Sequence, residues 1–283
     1  AYASSKVFGA AFSKKRQFQP VAKNKFQKHE LLKVVIGMEV DVIGSAGAVT
    51  EEQVKGRSVA VIDVFRATSV MVTAFRNGAR EIIPMTGIEE SFRLRDRLAA
   101  EHAARGDSGP VLLGGERKTV IIEGFDLDNS PLRYTPEVVR DATIVMSTTN
   151  GTRAVNSAQG WAAEIYVAAL LNADAVARRL GESGRDVALI CSGRNDRFTI
   201  EDALCAGMMA RYLGEHHGYT LTDIAWWCAD VYERYEADLQ SALDHCEHYH
   251  RIKERWSEDI AWCLERNVST VTPRITNEGG IRP

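Results

Sequence analysis

Five clusters of polar and charged residues each follow an apolar run of the chain, and their residue types suit the binding of an anion or a metal ion. The clusters span 63–69, 114–117, 124–131, 147–153 and 191–202. In an open α/β sheet, ligands bind in the crevice outside the C-terminal ends of the strands. Carboxylates, hydroxyls, glycines and arginines gathered in such a crevice are the groups that a magnesium-assisted phosphoester reaction uses.

Asp63 has the most distinctive position, because it directly follows the apolar run 59–62, which predicts a buried strand. A carboxylate at the end of a strand either holds a metal ion or attacks phosphorus, and the sequence leaves both roles open. Arg66 begins the next predicted helix, where the helix N-terminus and the guanidinium both favour an anion. The structural alternative is Asp63 as a helix cap paired with Arg66. A haloacid-dehalogenase phosphatase fits poorly, because Phe65 occupies the second acid of its Asp-x-Asp signature.

The other clusters offer further groups for holding an anion or a cation. In the segment 148–153, backbone amides and threonine hydroxyls suit an anion, although the spacing of a Walker A loop is absent. Glu116 and Arg117 place an acid beside a base at a flexible turn. Glu201 and Asp202, at a predicted helix start, offer the oxygen ligands that Mg²⁺ prefers. Each cluster also has an ordinary interpretation as a turn, an ion pair or a helix cap.

These patterns predict one site, whose members we divide by role. The predicted catalytic residues are Asp63, Arg66, Glu116, Arg117, Asn150 and Arg153. The predicted substrate-binding residues are Thr68, Ser69, Asn129, Ser130, Thr148, Thr149, Gly151, Thr152, Arg194 and Arg197. The predicted ligands of a Mg²⁺ cofactor are Asp63, Asp126, Glu201 and Asp202. The histidines show no H-E-x-x-H spacing, so we do not predict them as metal ligands.

The charge of the chain is unevenly distributed. Residues 1–37 carry eight Lys or Arg and one acid, whereas the remaining residues carry 27 bases and 37 acids. An acidic body argues against general nucleic-acid binding, and the basic arm is suited to an acidic surface or is simply solvated. No apolar run approaches the roughly 18 residues of a membrane span. The five cysteines show no C-x-x-C spacing, which argues against a disulfide framework and favours a reducing compartment.

Apolar runs rich in β-formers alternate with helical patterns from residue 38 onward. The runs lie at 39–43, 58–64, 81–85, 111–113, 142–147, 164–169 and 187–191, and the helical patterns at 67–78, 88–104, 153–159 and 173–182. This alternation predicts an α/β fold with three α/β/α layers around a mostly parallel or mixed sheet.

The chain becomes largely helical after residue 199. Helical patterns lie at 200–216, 221–239 and 240–266, and a last short strand is predicted at 268–275. We expect the tryptophans of this region in core or subunit packing; they are Trp226, Trp227, Trp256 and Trp262. We predict a basic extension over 1–37 and a catalytic domain over 38–283, with a second subdomain from about 160 as a further subdivision.

Taken in order, the clusters resemble the 2-phosphosulfolactate phosphatase (ComB) family. The matching pieces are 61–69, 114–117, 124–131, 148–153, 170–172, 197–202 and 204–207. The resemblance implies an α/β, Mg²⁺-dependent acid phosphatase that converts 2-phospho-3-sulfolactate to 3-sulfolactate and phosphate, a step toward coenzyme M or related sulfonates. Such a substrate carries nearly four negative charges, which suits arginines that form bidentate pairs with oxyanions. The arginines available are Arg66, Arg117, Arg153, Arg194 and Arg197.

This chain departs from the family pattern at three places. Lys118 and Thr119 stand where glycine commonly follows Gly-Glu-Arg, and Asp128 stands where glycine is usual. A Ser-x-His-Gly stretch of the family reads Cys-Glu-His-Tyr at 246–249. We expect Asp128 to face solvent, because Asp126, two positions away, then points inward if the segment is extended.

A second class of protein also fits these features: a phosphatase-like protein without catalysis that acts as an assembly or interaction partner through its basic N-terminal arm. For either class we expect a homo-oligomer, a protein partner for the arm, and no nucleic-acid partner or membrane span. For the enzyme we expect a small anionic phosphoester as substrate. The expected location is cytoplasmic, or the stroma or matrix of an organelle if residues 1–37 follow a cleaved transit peptide.

Overall fold

Strands and helices alternate through most of the chain, as the sequence predicts. The structure is a computed structural model that describes residues 37–117, 119–148 and 151–283, with the backbone alone described at 151 and 152. The strands are β1 Glu39–Ile43, β2 Ser58–Ile62, β3 Glu81–Pro84, β4 Val111–Arg117, β5 Val120–Ile121, β6 Thr143–Ser147, β7 Glu164–Ala168, β8 Val187–Cys191, β9 Thr220–Leu221, β10 Arg274–Ile275 and β11 Ile281–Arg282. The α-helices are α1 Glu51–Val54, α2 Ala67–Arg76, α3 Ile88–Ala104, α4 Pro136–Val139, α5 Gly151–Asn156, α6 Ala173–Glu182, α7 Ile200–His217, α8 Asp223–Tyr235, α9 Leu239–Leu243, α10 Glu247–Ile252 and α11 Ser257–Cys263. Single 3₁₀ turns lie at Ala46–Ala48, Pro131–Arg133 and Leu170–Asn172.

The strands form a mixed, mostly parallel sheet in the order β5-β4-β6-β3-β11-β10-β7-β2-β8-β1-β9. One parallel group is β4-β6-β3, and the other is β7-β2-β8-β1-β9. The short hairpin β10-β11 joins the two groups through antiparallel pairings with β7 and β3. The predicted mixed or mostly parallel α/β sheet is confirmed.

Both faces of the sheet are covered, which explains why strands such as β2 and β8 are apolar throughout. Every residue of β2 is buried, and its side chains alternate between two cores. Val59 and Val61 belong to a core that includes residues of α2 and α5. Ala60 and Ile62 belong to a core that includes residues of α6, α7 and α8. This division between two faces is the predicted three-layer arrangement.

The C-terminal helical region is more broken than its sequence pattern predicts. A single helix over 240–266 is replaced by α9, α10 and α11. Asp238 caps α9, with its carboxylate accepting from the Ser241 amide, and Cys246 caps α10, with its sulfur accepting from the Tyr249 amide. Such local side-chain caps compete with a continuous helix. The predicted strand at 268–275 is reduced to β10, because the segment before it forms no ladder.

Several broader sequence predictions meet the structure only in part. Residues 37–283 form one compact unit, while the predicted extension lies almost entirely outside the described residues. The subdivision near residue 160 stays a prediction. All five cysteines are buried and unpaired. In the part of the chain that the structure describes, no helix has the length and apolar character needed to cross a membrane.

Candidate active site

A cleft of about 500 Å³ collects residues from the ends of strands in both parallel groups and from the C-terminal helices. Four positions that the sequence predicts at strand ends line it: Asp63 after β2, Glu116 in β4, Thr148 after β6 and Arg194 after β8. The lining is completed by Phe65, Arg66, Ala67, Thr119, Asn129, Asn195, His248, Arg251, Ile252, Arg255 and Trp256. The strand ends and the last helices therefore build one site together.

Asp63 lines the cleft and is 7% exposed. Its Oδ1 accepts from the Ala67 amide at 3.3 Å, and its own amide donates to Thr68 Oγ1 at 2.9 Å. Burial raises the pKa of the Asp63 carboxyl to about 6, against the charge of His248 and the Ala67 hydrogen bond, which lower it. A carboxylate in this setting is stabilised by a positive charge entering the cleft.

Arg66 is also buried, and its charge is already paired. Its guanidinium forms an ion pair with Asp259 of α11, whose other oxygen accepts from Ser130 Oγ at 2.6 Å. The guanidinium carbon lies 3.9 Å from the centroid of the Trp256 ring, an arrangement typical of a cation–π contact. Asp259 and Trp256 thus fix a guanidinium in the wall of the cleft.

The cleft offers oxygen donors that fit a hard cation such as Mg²⁺. Asp63 and Glu116 provide carboxylates, and Asn129 provides a side-chain carbonyl oxygen. Asn129 Oδ1 is buried, and no group within the described ranges donates a hydrogen bond to it. An orphaned buried acceptor is costly unless a cation or water satisfies it. Mg²⁺ commonly takes one or two carboxylates and completes its shell with water and substrate oxygens.

Glu201 and Asp202, two of the predicted metal ligands, are engaged with protein donors. Asp202 accepts from the Val64 amide at 2.8 Å and the Gly193 amide at 3.0 Å, which ties the ends of β2 and β8 together. Burial, followed by the charges of Glu201 and Asp63, raises the pKa of Asp202 well above its usual range. Neither Glu201 nor Asp202 lines the cleft. Within the described ranges, no cluster of three or more His, Cys, Asp or Glu side chains is arranged to hold a metal ion.

His248 lines the cleft and rests on Glu201. Its Nδ1 lies 2.7 Å from Glu201 Oε1, and the Cys246 thiol donates to Glu201 Oε2 at 3.0 Å. Since a carboxylate oxygen is an acceptor, Nδ1 carries the hydrogen of this bond. Burial, and then the charge of Glu201, raises the pKa of Cys246 to about 12, so the thiol keeps its proton. The ring of His248 also meets Phe65 edge-on at 6.2 Å.

Two arginines bring positive charge to the cleft without a salt-bridge partner among the described residues. Across the described part of the chain, neither Arg194 nor Arg255 forms a salt bridge, although Arg251 beside them is paired with Glu247. The Arg255 guanidinium lies 5.1 Å from the centroid of the Trp256 ring. Trp256 therefore contacts two guanidinium groups: that of Arg66 is paired with Asp259, and that of Arg255 forms no salt bridge with the described residues.

Several predicted site residues lie near the cleft without lining it. Thr68 and Ser69 are fully buried, and their hydroxyls bond to the backbone around the start of α2. Arg117 donates to the carbonyls of Thr86, Glu116 and Ser147, which ties β3, β4 and β6 together at their ends. Arg117 thus cross-links the ends of these three strands through hydrogen bonds and does not line the cleft.

The remaining predicted arginines and Asp126 are exposed. Arg153 forms an ion pair with Asp196, and Arg197 pairs through its backbone with Arg194 in a tight turn. Asp126 accepts from the Leu113 amide at 2.7 Å. Thr149 and Asn150 lie outside the described residues, and Gly151 and Thr152 are described only as the first backbone positions of α5.

Two of the residues that depart from the family pattern, Thr119 and Asp128, have defined hydrogen bonds. Thr119 adopts φ +65°, a left-handed conformation that favours glycine, and its amide donates to Glu116 Oε2 at 2.7 Å. Asp128 is half-buried and accepts from the Ser130 amide, and it does not line the cleft. The inward position expected for Asp126 is wrong, because this segment turns rather than extends, and the side chain is exposed.

The sequence did not predict that Trp256, Arg255 and Asp259 contribute to the site. The helical pattern of the C-terminal region predicts helices that pack against the core or another subunit. Trp226 and Trp227 are 58% and 45% exposed, so of the expected core or subunit packing the core role is wrong for these two, and subunit packing stays a prediction. One signal pointed to His248: it matches the histidine of the Ser-x-His-Gly stretch in the family pattern.

The fold and cleft define an α/β enzyme whose site suits a phosphorylated anion, and comparison with known proteins agrees. The family model for 2-phosphosulpholactate phosphatase matches residues 45–278. A probable 2-phosphosulfolactate phosphatase of Clostridium botulinum (strain Eklund 17B) is 40% identical over 238 residues, which cover 83% of this chain and 96% of that protein. One from Clostridium perfringens (strain SM101) is 40% identical over 82% of this chain and 91% of that protein. One from Caldanaerobacter subterraneus is 36% identical over 81% and 92%.

The chain belongs to the 2-phosphosulfolactate phosphatase family, and it is a phosphoric monoester hydrolase. The resemblance inferred from the motifs is confirmed. The names of these relatives lend no support to the alternative of a non-catalytic assembly partner. The predicted homo-oligomer and the partner for the basic arm stay predictions.

Proposed function

We propose that this protein is a Mg²⁺-dependent phosphatase that hydrolyses 2-phospho-3-sulfolactate, or a similar small phosphomonoester with further anionic groups, to the free alcohol and phosphate. The observation that carries the proposal is the composition of the cleft. It places oxygen donors suited to a cation beside Arg194 and Arg255, which form no salt bridge in the described part of the chain. A phosphate ester that also bears sulfonate and carboxylate groups requires both kinds of partner.

Asp63, Glu116 and Asn129 are the residues that would hold Mg²⁺. The support is the buried Asn129 Oδ1, which accepts no hydrogen bond from the described residues, and the buried carboxylate of Asp63. When bound, the metal neutralises charge on the phosphate oxygens and polarises the phosphorus. The predicted ligands Asp126, Glu201 and Asp202 are not part of this set, because none of the three lines the cleft.

The arginines of the cleft bind different anionic groups of the substrate. Arg66 is held by Asp259 and Trp256, so its position is fixed before substrate arrives, and it suits the transferring phosphoryl group. Arg194 and Arg255 lie in the same cleft with no acid partner in the described ranges, and they suit the sulfonate or carboxylate. Arginines that form no salt bridge within the described ranges suit a multiply anionic ligand in an acidic protein.

Phosphate release from a panel of phosphomonoesters tests this proposal. We expect turnover of 2-phospho-3-sulfolactate with Mg²⁺, a large loss when the metal is chelated, and recovery when Mg²⁺ is restored. We also expect a higher kcat/KM for esters with a second anionic group than for neutral alkyl phosphates of the same size. Turnover that is unchanged by chelation contradicts the metal requirement, and no turnover of any ester contradicts the proposed function.

Arg255 should set the preference for a second anionic group. Replacing it with glutamine should raise KM for 2-phospho-3-sulfolactate by roughly 10–100-fold, because a hydrogen bond to a charged group contributes about 1.5–3 kcal/mol. The KM for a phosphomonoester without a second anion should change little. The measurement is kcat/KM on both substrates for Arg255→Gln.

The matched control for that measurement is Arg234→Gln, which removes an exposed arginine of α8 paired with Asp230. It should behave as the wild type on both substrates. Equal losses by Arg255→Gln on both substrates would instead assign Arg255 to the phosphate.

A further inference from the structure

His248 and Glu201 form a hydrogen-bonded pair at the cleft. The proposed binding of the metal ion and of the anionic groups involves neither residue. Glu201 is 1% exposed and directs both carboxylate oxygens at residues of one short segment, the Cys246 thiol and the His248 ring. A buried carboxylate bonded to Nδ1 fixes the tautomer and the orientation of an imidazole. The other ring nitrogen, Nε2, has no hydrogen-bond partner in the described ranges, and the side chain lines the cleft.

The location of His248 suits proton transfer to the substrate. It lines the same cleft as Asp63 and Arg66. A group in this position is next to the phosphoryl site. Imidazole exchanges protons near neutral pH, and histidine is the side chain most often used in general acid–base catalysis.

The chemistry of an alkyl phosphate makes such a donor valuable. Its leaving group is an alkoxide, which is strongly basic, so protonation of the ester oxygen lowers the barrier to breaking the P–O bond. Arginine cannot supply this proton, because it does not deprotonate in proteins. Among the described residues that line the cleft, His248 is the histidine.

We propose that His248 is a catalytic residue that donates a proton from Nε2 to the leaving oxygen, and that Glu201 is a positioning residue that holds its ring. This rests on the proposed function. Water forms the new bond to phosphorus while the bond from phosphorus to the ester oxygen breaks. The ester oxygen keeps the electron pair of that bond and takes the proton of the imidazolium. The phosphate, which carries both hydrogens of the water, then returns one proton to the imidazole.

The test compares substrates that differ in their need for a proton. For His248→Gln we expect kcat on 2-phospho-3-sulfolactate to fall by about 10²–10⁴-fold, the usual contribution of a general acid. On an activated aryl ester such as 4-nitrophenyl phosphate, whose leaving group departs without protonation, the loss should be less than about tenfold. Glu201→Gln should show the same pattern with smaller losses, in kcat rather than in KM.

The control is His250→Gln, which changes an exposed histidine of the same helix and should leave both rates unchanged. Equal losses on the alkyl and aryl esters, or no loss on either, would overturn the assignment of His248 while the proposed function stands. A wild-type protein that hydrolyses neither ester would overturn the proposed function itself. Thermal unfolding of each variant separates loss of fold from loss of chemistry.

Discussion

Replacing Asp63 with asparagine should lower phosphate release by about 10³-fold or more and leave the fold intact. The carboxylate at the end of β2 is a proposed ligand of Mg²⁺, and an amide binds this cation less well than a carboxylate does. Losses of this order are usual when a central catalytic group is removed. The measurement is kcat/KM for 2-phospho-3-sulfolactate at saturating Mg²⁺.

The fold of the Asp63→Asn variant should not suffer, for two reasons. The asparagine oxygen can still accept from the Ala67 amide. Burial raises the pKa of Asp63 to about 6, so its ionised form is less favourable in the folded protein than in the unfolded chain at neutral pH, and the neutral amide removes that penalty. The melting temperature should therefore equal or exceed that of the wild type.

The exposed Asp96→Asn is the matched control, and it should change neither property. Near-wild-type turnover by Asp63→Asn would show that the carboxylate is only a cap for the start of α2.

Removing the carboxylate of Asp259 should have the largest effect on stability. Asp259→Ala leaves the guanidinium of Arg66 buried without an acid and the Ser130 hydroxyl without its acceptor. Breaking a buried ion pair by removing one partner costs about 3–5 kcal/mol. The free energy of unfolding, measured by denaturant titration, should fall by that amount.

A neighbouring residue and a double variant make this result specific. Glu258→Ala changes an exposed acid in the same first turn of α11 and should cost less than about 1 kcal/mol. The double variant Arg66→Met with Asp259→Leu replaces both charges by apolar groups and should recover most of the lost stability. Its phosphatase activity should stay low, because Arg66 itself is then missing. A small cost for Asp259→Ala would contradict the claim that this buried ion pair stabilises the fold.

The fold was predictable where local pattern and burial agree. The apolar run before Asp63 predicts β2, and the alternation of strands and helices predicts the layers. Both are visible because the spacing of apolar residues differs between strands and helices. The short strands β5, β9 and β11 have two residues each, which is too few for any period to be visible. The break of 240–266 into three helices depends on capping side chains such as Cys246, which have no strong sequence signature.

The site was predictable for the residues at the strand ends and for Arg66 and Asn129, which lie in the same polar clusters and also line the cleft. Asp63, Glu116, Thr148 and Arg194 meet because the strand order brings them together. Asp202 was predicted as a metal ligand from its residue type alone. The sequence does not show that its carboxylate accepts a hydrogen bond from the Val64 amide, because Val64 is 138 positions away in the chain.

The C-terminal contributions depend on tertiary contacts of the same long range. Asp259 lies 193 positions from Arg66, and no spacing rule connects them. A tryptophan in an amphipathic helix is normally a packing residue, so the role of Trp256 beneath two guanidinium groups is visible only in the folded chain.

A crystal structure of the protein with Mg²⁺, phosphate and 3-sulfolactate bound tests the central claim most directly. We expect the metal on Asp63, Glu116 and Asn129, with the phosphate beside Arg66. The sulfonate or carboxylate should contact Arg194 or Arg255, and Asp128 should lie outside the ligand shell. An anion bound away from Asp63, or a ligand shell that includes Asp128, would contradict the account.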